Sequence, residues 1–137
     1  MADGHKATVE RVLQALVDDE GHTTREVVRD DVVWWVPESA ARQFGLPRPL
    51  RGFDDIAWFG GPGWKGFEPG SSRLEIQHLV AEDDLVSAHY RRTARRLDGS
   101  PYDAEYNILF RFESDRIAEV WEVADTAAAF APSQPRK

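Results

Sequence analysis

The residues best suited to chemistry fall on the last three predicted strands. If the turns at Asp98-Gly99 and Ser114-Asp115 contain two residues each, Glu122 lies opposite Asn107, and Asn107 lies opposite Tyr90. A carboxyl buried beside tryptophan and valine has a raised pKa and can move protons near neutral pH. We expect Glu122 to act as an acid or base, with Asn107 and Tyr90 binding a carbonyl or enolate oxygen. The alternative is that Glu122 bonds to Asn107 or Tyr90 and only holds the sheet together.

The same register places a positive charge beside this row. Arg92 falls between Glu75 and Glu105 on the neighbouring strands. Side chains directly opposite each other across strands interact, so the simplest prediction is an ion pair. The alternative is that Arg92 meets an anionic or carbonyl-bearing ligand at the mouth of a pocket.

A metal centre is not expected. The chain has no cysteine, which excludes disulfides, thiolate ligands and a cysteine nucleophile. His78 and His89 pair across two strands, but no third ligand is near them on that face. We interpret them as polar interface residues.

Large aromatic residues are concentrated where the helices should meet the sheet. Such side chains bury large areas, so most of them belong to the core. Strand alternation sends Trp34 and Trp35 to opposite faces, and only one of them can line a pocket. The segment Gly60–Gly63 lacks the spacing of a phosphate loop and is interpreted as a mobile flap. The residues expected to contact a ligand are Trp34, Trp58, Phe59, Trp64, Arg92, Leu109 and Val120.

Helices are predicted in the first half of the chain. One apolar stripe with three-and-four spacing is formed by Val9, Val12, Leu13, Leu16 and Val17. Thr23 and Glu26 form a capping box that opens a second helix through Val28. A third helix begins at Asp54. Between them, residues 38–51 are predicted to be a loop, because glycine and two prolines interrupt them.

Strands dominate the second half. A β-rich run, 32–36, precedes Pro37, and the hydrophobic period is two from Arg73 onward. The four later strands are predicted at Arg73–Ala81, Leu85–Leu97, Pro101–Glu113 and Arg116–Ala124. They form an antiparallel meander, and Asp125 then caps a short alanine-rich helix. The expected fold is therefore α+β, with helices covering one face of the sheet. We expect one domain over residues 1–131 and a flexible tail over 132–137.

The charge balance excludes several classes of partner. With 24 acidic and 17 basic residues the net charge is −7, and such a surface repels phosphate backbones. Nucleic acid is therefore not an expected partner. No apolar stretch approaches the length needed to span a membrane, and we expect a cytoplasmic protein with no membrane partner.

Several motifs together resemble one superfamily. The run Tyr102–Phe112 followed by Arg116–Thr126 resembles the last hairpin of SnoaL-like and ketosteroid-isomerase-related proteins. Asp31–Pro37 resembles their first strand, and Arg51–Ile56 resembles the start of a helix. The resemblance implies the nuclear transport factor 2-like fold, a cone-shaped half-barrel with a curved antiparallel sheet, three N-terminal helices and an apolar pocket. Members include isomerases, polyketide cyclases, epoxide hydrolases, dehydratases and proteins without chemistry, so the fold does not fix the function.

Matching residues to the known members narrows the choice of reaction. Ketosteroid isomerases carry their catalytic Asp immediately before the proline, where this chain has Val36, and their oxyanion-hole Asp matches Asn107. The Arg and Asp of the epoxide hydrolases match Tyr90 and Arg92, so that set is incomplete as well. The last-strand Asp of SnoaL-like members matches Glu122.

The resemblance and the residues together favour an acid–base enzyme without a cofactor. It would act as a cyclase, isomerase or hydrolase on a small, apolar, oxygenated metabolite. The alternative is a non-catalytic ligand-binding or dimerisation module on the same fold. Because the two sheet faces are both predicted to be apolar, we expect one to pack under the helices and the other to form a homodimer.

Overall fold

The computed structural model describes residues 2–18, 25–58 and 66–129. Four helices are found there: α1 at Ala2–Asp18, α2 at Glu38–Phe44, α3 at Gly52–Trp58 and α4 at Thr126–Ala129. Residues 25–27 are also helical. The predicted stripe on α1 is confirmed, since Val9, Val12 and Leu13 are fully buried. The proposed flap at 60–63 and the tail at 132–137 lie outside the described residues.

The strands form one six-stranded sheet in the order β2-β1-β6-β5-β4-β3. Their bounds are β1 Val28–Trp35, β2 Leu50–Arg51, β3 Arg73–Glu82, β4 Leu85–Arg95, β5 Pro101–Glu113 and β6 Arg116–Ala124. All neighbours are antiparallel except β1 and β6, which run parallel. The sheet is curved and unclosed, and the predicted α+β architecture is confirmed.

The prediction of a loop over 38–51 is wrong. This segment contains α2 and β2, and α2 ends where Gly45 adopts the left-handed conformation, with φ of 64°. Glycine reaches that conformation without strain and commonly ends helices. The second predicted helix also ends earlier than expected, because Val28 already belongs to β1.

One turn changes the register of the sheet. The β3–β4 and β5–β6 turns contain two residues as predicted, since Glu82 pairs with Leu85 and Glu113 with Arg116. The β4–β5 turn contains three, Leu97–Gly99, because the backbone N–H of Arg96 bonds to the Ser100 carbonyl at 2.9 Å. Gly99 has a φ of 86°, which is typical of the last residue in a three-residue hairpin loop.

The extra residue moves every β4–β5 pair by one position. Tyr90 lies opposite Tyr106, and Asn107 lies opposite His89. The predicted pairing of Tyr90 with Asn107 is therefore wrong, and Asn107 points away from Tyr90. Because strand side chains alternate between faces, a shift of one residue exchanges inward and outward positions.

A bulge in β6 makes a second correction. Ile117 pairs with Phe112, whereas Glu119 pairs with Arg111, so the register shifts between these pairs. Ile117 and Ala118 are consequently both buried, although they are consecutive. One extra residue on a strand has this effect. Glu122 lies opposite Ile108, and the predicted pairing with Asn107 is wrong.

The sheet has an inner face, which packs against α1 and the other helices, and an outer face. The inner face carries the core of the sheet: Trp34, Val86, Ala88, Tyr90, Ile108, Phe110 and Val120. The apolar residues Ile108, Phe110 and Phe112 of β5 belong to the same core. None of the described helices is long and apolar enough to cross a membrane.

Candidate functional site

Polar side chains gather at one end of the inner face. Glu122 follows the apolar core along β6, and the next cross-strand row holds Tyr90 opposite Tyr106. One row further, Arg92 lies opposite Ala104. The inner face thus changes from an apolar floor to a set of acid, hydroxyl and guanidinium groups.

Glu122 is the acid of this site. Its Oε1 accepts a hydrogen bond of 3.1 Å from the indole Nε1 of Trp34. Protein surrounds the carboxyl, yet part of the residue remains accessible, as on the floor of a pocket. Desolvation raises the pKa of Glu122 from 4.5 to about 7, and the Trp34 hydrogen bond opposes part of that rise. Glu122 can therefore both accept and release a proton near neutral pH.

Three tyrosines share the site with Glu122. The rings of Tyr90 and Tyr106 stack with centroids 5.0 Å apart, and the hydroxyls of Tyr102 and Tyr106 are hydrogen-bonded to each other. Burial is the main cause that raises the pKa of each tyrosine, and the nearby charge of Glu122 adds to it. These hydroxyls remain protonated at neutral pH and are therefore hydrogen-bond donors.

Arg92 does not form the predicted ion pair. In the observed register Arg91, not Arg92, stands between Glu75 and Glu105. The three-residue turn shifts Glu105, and a register shift between Ile76 and His78 of β3 moves Glu75. The Arg92 guanidinium lies over the ring of Phe67, 4.9 Å from its centroid. The alternative expectation, that Arg92 contacts a ligand, stays a prediction.

The predicted site residues divide between the two faces. Glu122, Tyr90, Trp34, Arg92 and Val120 lie on the inner face. Asn107 and Leu109 lie on the outer face, which corrects their expected contact with a ligand. Both residues change face because the three-residue β4–β5 turn shifts the pairing of β4 with β5. The Trp58 side chain, Phe59 and Trp64 lie outside the described residues, so their role in binding stays a prediction.

Tyr106 and Tyr102 are the site residues that sequence reasoning missed. Because Asn107 is expected to lie opposite Tyr90, strand alternation predicts that its neighbour Tyr106 points to the other face of the sheet. Tyr102 enters the sequence analysis only as part of a family motif. The signal was present in Leu97-Asp98-Gly99, since a glycine as third residue also fits a three-residue loop. That reading of the turn would have brought both tyrosines to the inner face.

The outer face carries its own polar contacts. Trp35 Nε1 donates to Glu119 Oε2 at 2.9 Å. The rings of His78 and His89 stack, their Nδ1 atoms 3.0 Å apart, and His89 Nε2 lies 2.8 Å from Glu105 Oε2. Within 2–18, 25–58 and 66–129, no three histidine, aspartate or glutamate side chains converge as metal ligands.

The predicted helix cap at Asp125 is confirmed. Its Oδ1 accepts a hydrogen bond of 3.2 Å from the backbone N–H of Ala128, in α4. This residue is therefore engaged in structure at the end of β6.

The helices and the curved, open sheet define a domain of the nuclear transport factor 2-like class. A solved nuclear transport factor 2-like protein of unknown function from Burkholderia pseudomallei has this fold, with a TM-score of 0.75 and 19% identity over 90% of this chain and 92% of that one. The SnoaL-like domain profile matches residues 9–120. The chain belongs to the SnoaL-like domain family.

Two further solved structures share the fold. A proposed SnoaL-like polyketide cyclase from Jannaschia sp. CCS1 has a TM-score of 0.75 and 17% identity, over 96% of this chain and 95% of that one. TerC, co-crystallised with polyporic acid, has a TM-score of 0.75 and 18% identity, over 91% and 94% of the two chains. No curated protein matches the sequence. Identities this low establish the common fold alone.

Proposed function

We propose that this protein is an acid–base enzyme that moves a proton on a small, apolar carbonyl compound. The observation that carries the proposal is the enclosed Glu122 carboxyl, which lies in the electrostatic range of three tyrosines and has no cationic partner among the described residues. A carboxyl in such surroundings has a pKa close to the working pH, which is the best condition for proton transfer.

The proposed reaction uses only side chains of the protein and no cofactor. The ionised Glu122 takes the proton from the carbon next to the substrate carbonyl, and the C–H electrons move into an enolate. The Tyr90 hydroxyl donates a hydrogen bond to the developing enolate oxygen. The proton then returns from Glu122 to the same carbon, which gives exchange, or to another carbon, which gives an isomerisation. Alternatively, the enolate carbon attacks a second carbonyl of the same molecule, and Glu122 gives its proton to the new alkoxide oxygen, which completes a ring closure.

An aromatic or polycyclic substrate suits the walls of the site. Stacked tyrosines and the nearby Phe67–Tyr102 pair, whose centroids are 4.7 Å apart, present flat apolar surfaces. The names of the similar structures, a proposed polyketide cyclase and a protein crystallised with polyporic acid, favour the same class of ligand.

Proton exchange on a simple ketone tests the proposal. β-Tetralone is flat and apolar, and has protons next to its carbonyl whose replacement by deuterium is measured by NMR. We expect the unaltered chain to speed this exchange and Glu122→Gln to lose the effect. Glu119→Gln is the matched control, because Glu119 lies on the same strand and also binds a tryptophan indole, but on the outer face. Equal exchange by the Glu122→Gln variant and the unaltered chain would contradict the proposal.

The alternative, a binding module without chemistry, makes a different prediction. Such a protein would bind β-tetralone, seen as a change in tryptophan fluorescence, without faster exchange in either variant. The pKa of Glu122 favours the enzyme, because a module that only binds apolar ligands does not need an ionisable group near neutrality.

A homodimer through the outer face is also part of the proposal. A row of mainly apolar residues crosses five strands there: Val80, Ser87, Leu109, Trp121 and Trp35. Val80 is 63% exposed, and Val123 in the adjacent row is 65% exposed. A mainly apolar, partly exposed band favours an interface, and a second copy would cover it with the same residues.

A further inference from the structure

Among the described residues, the Arg92 guanidinium has only long hydrogen bonds and a contact with the Phe67 ring. Its Nη2 donates to the Leu16 carbonyl and to Ser72 Oγ, and both distances are 3.4 Å. Its Nε is buried and has no acceptor among the described residues. An enclosed donor without an acceptor is unfavourable, so Arg92 retains capacity to bind a group that enters the site.

The neighbouring carboxylates turn away from Arg92. Asp103 accepts a hydrogen bond of 2.6 Å from Arg91, and Glu105 bonds to His89. Both contacts lie on the outer face, on the other side of the sheet. No salt bridge to Arg92 exists among the described residues, although the chain as a whole carries seven more acidic than basic groups.

The electrostatic balance of the inner site therefore favours an anion. Among the described residues, Glu122 is the carboxyl that acts on the same tyrosines as Arg92, and part of its population is protonated at neutral pH. When Glu122 is neutral, the positive charge of Arg92 has the face of the Phe67 ring beside it but no carboxylate among the described residues. An enclosed cation needs a counter-charge, and a carboxylate or another ionised oxygen on the ligand would supply it.

We propose that Arg92 binds an acidic oxygen of the ligand, so that the site selects carbonyl compounds with a carboxylate or ionised hydroxyl at the end remote from the reacting carbon. This rests on the proposed function. Tyr90 lies in the electrostatic range of both Glu122 and Arg92. A ligand whose reacting carbonyl lies near Glu122 would therefore have its acidic group near Arg92. Their rows are four residues apart along β5, about 13 Å, so the two groups that a ligand would meet are well separated.

Three matched probes test this selectivity: β-tetralone, its derivative with a carboxylic acid on the aromatic ring, and the methyl ester of that acid. We expect the unaltered chain at neutral pH to bind the acid at least about tenfold more tightly than the ester, as for a charged hydrogen bond. Arg92→Gln should remove that preference. Arg91→Gln is the control and should keep it, because Arg91 is adjacent but points outward.

If Arg92→Gln does not fold, a measurement on the unaltered chain still tests the inference. The NMR signal of the Arg92 Nε–H should move when the acid is added, and should stay in place with the ester. Equal binding of acid and ester, a preference that survives Arg92→Gln, or an unmoved Nε–H signal would each overturn the inference. If any of these results is found but β-tetralone exchange still depends on Glu122, the proposed function stands. If none of the three probes binds, both proposals fail.

Discussion

Trp34 and Glu122 are joined by a hydrogen bond between neighbouring, parallel strands, and the adjacent residue Trp35 makes the same kind of bond to Glu119 on the other side of the sheet. The two pairs use the same chemistry in different surroundings. Glu119 is also bonded to Arg111, whereas Glu122 forms no ion pair among the described residues. Desolvation raises the pKa of Glu122 to about 7, and variants on the outer face serve as matched controls.

The stability of the protein should depend on the ionisation of Glu122. Its pKa is about 7 in the folded chain and 4.5 as an ordinary carboxyl, so the folded state holds the proton more tightly. The stabilising contribution is complete below pH 4.5 and is lost as pH rises through 7. The full effect is about 3 kcal/mol.

Urea unfolding at several pH values measures this dependence. The free energy of unfolding of the Glu122→Gln variant should fall less between pH 5 and pH 9 than that of the unaltered chain, by up to about 3 kcal/mol. Glu119→Gln should keep the original slope. The same slope in all three proteins would show that Glu122 does not titrate in this range.

Removing the indole donor should raise the pKa of Glu122 further. In Trp34→Phe the ionised carboxyl loses the one hydrogen bond that opposes desolvation. The midpoint of the pH dependence of β-tetralone exchange should move to higher pH, because the base form of Glu122 is needed. Trp35→Phe should leave that midpoint in place. A midpoint that falls in Trp34→Phe would disprove the assigned role of the indole.

Tyr90→Phe should slow the exchange without weakening binding. Its ring still stacks with that of Tyr106, but the hydroxyl that binds the enolate oxygen is lost. Removal of one such donor costs about a hundredfold in kcat, while KM should change little. A rise in KM with an unchanged kcat would instead identify Tyr90 as a residue that only binds the ketone.

Leu109→Lys should weaken the proposed homodimer. Leu109 occupies the centre of the apolar row on the outer face, and a charge there would have to be desolvated in both copies. Light scattering after gel filtration measures the mass. Leu97→Lys changes another exposed apolar residue, in the β4–β5 turn, and should leave the mass unaltered. A monomeric unaltered chain would exclude the dimer.

Local patterns were sufficient to predict most of the elements. The bounds of β5 and β6 match the prediction because alternation and the Ser114-Asp115 turn are properties of short segments. α2 was missed because its seven residues bury only Ala40 and Ala41, too few for a periodic signal, and because the glycine and prolines after it favoured a loop.

The site was harder to predict because it depends on how strands align. Glu122, Tyr90, Arg92 and Trp34 were identified and share the inner face. Asn107 was assigned to the wrong face, since Asp-Gly fits both a two-residue turn and the end of a three-residue loop. The bulge after Ile117 has no clear local signal, because two consecutive apolar residues are also common in a regular strand.

The length of the β4–β5 turn determines which of two sets of β5 side chains lies on the inner face of the sheet. With Leu97–Gly99 in the turn, tyrosines face inward and Asn107 faces solvent. If one residue were deleted from this turn while β4 kept its position, the two faces of β5 would exchange. Asn107, Glu105 and Asp103 would then lie on the inner side. The same exchange would also turn Ile108 and Phe110 of β5 out of the core, so the length of this turn ties the chemistry of the site to the integrity of the core.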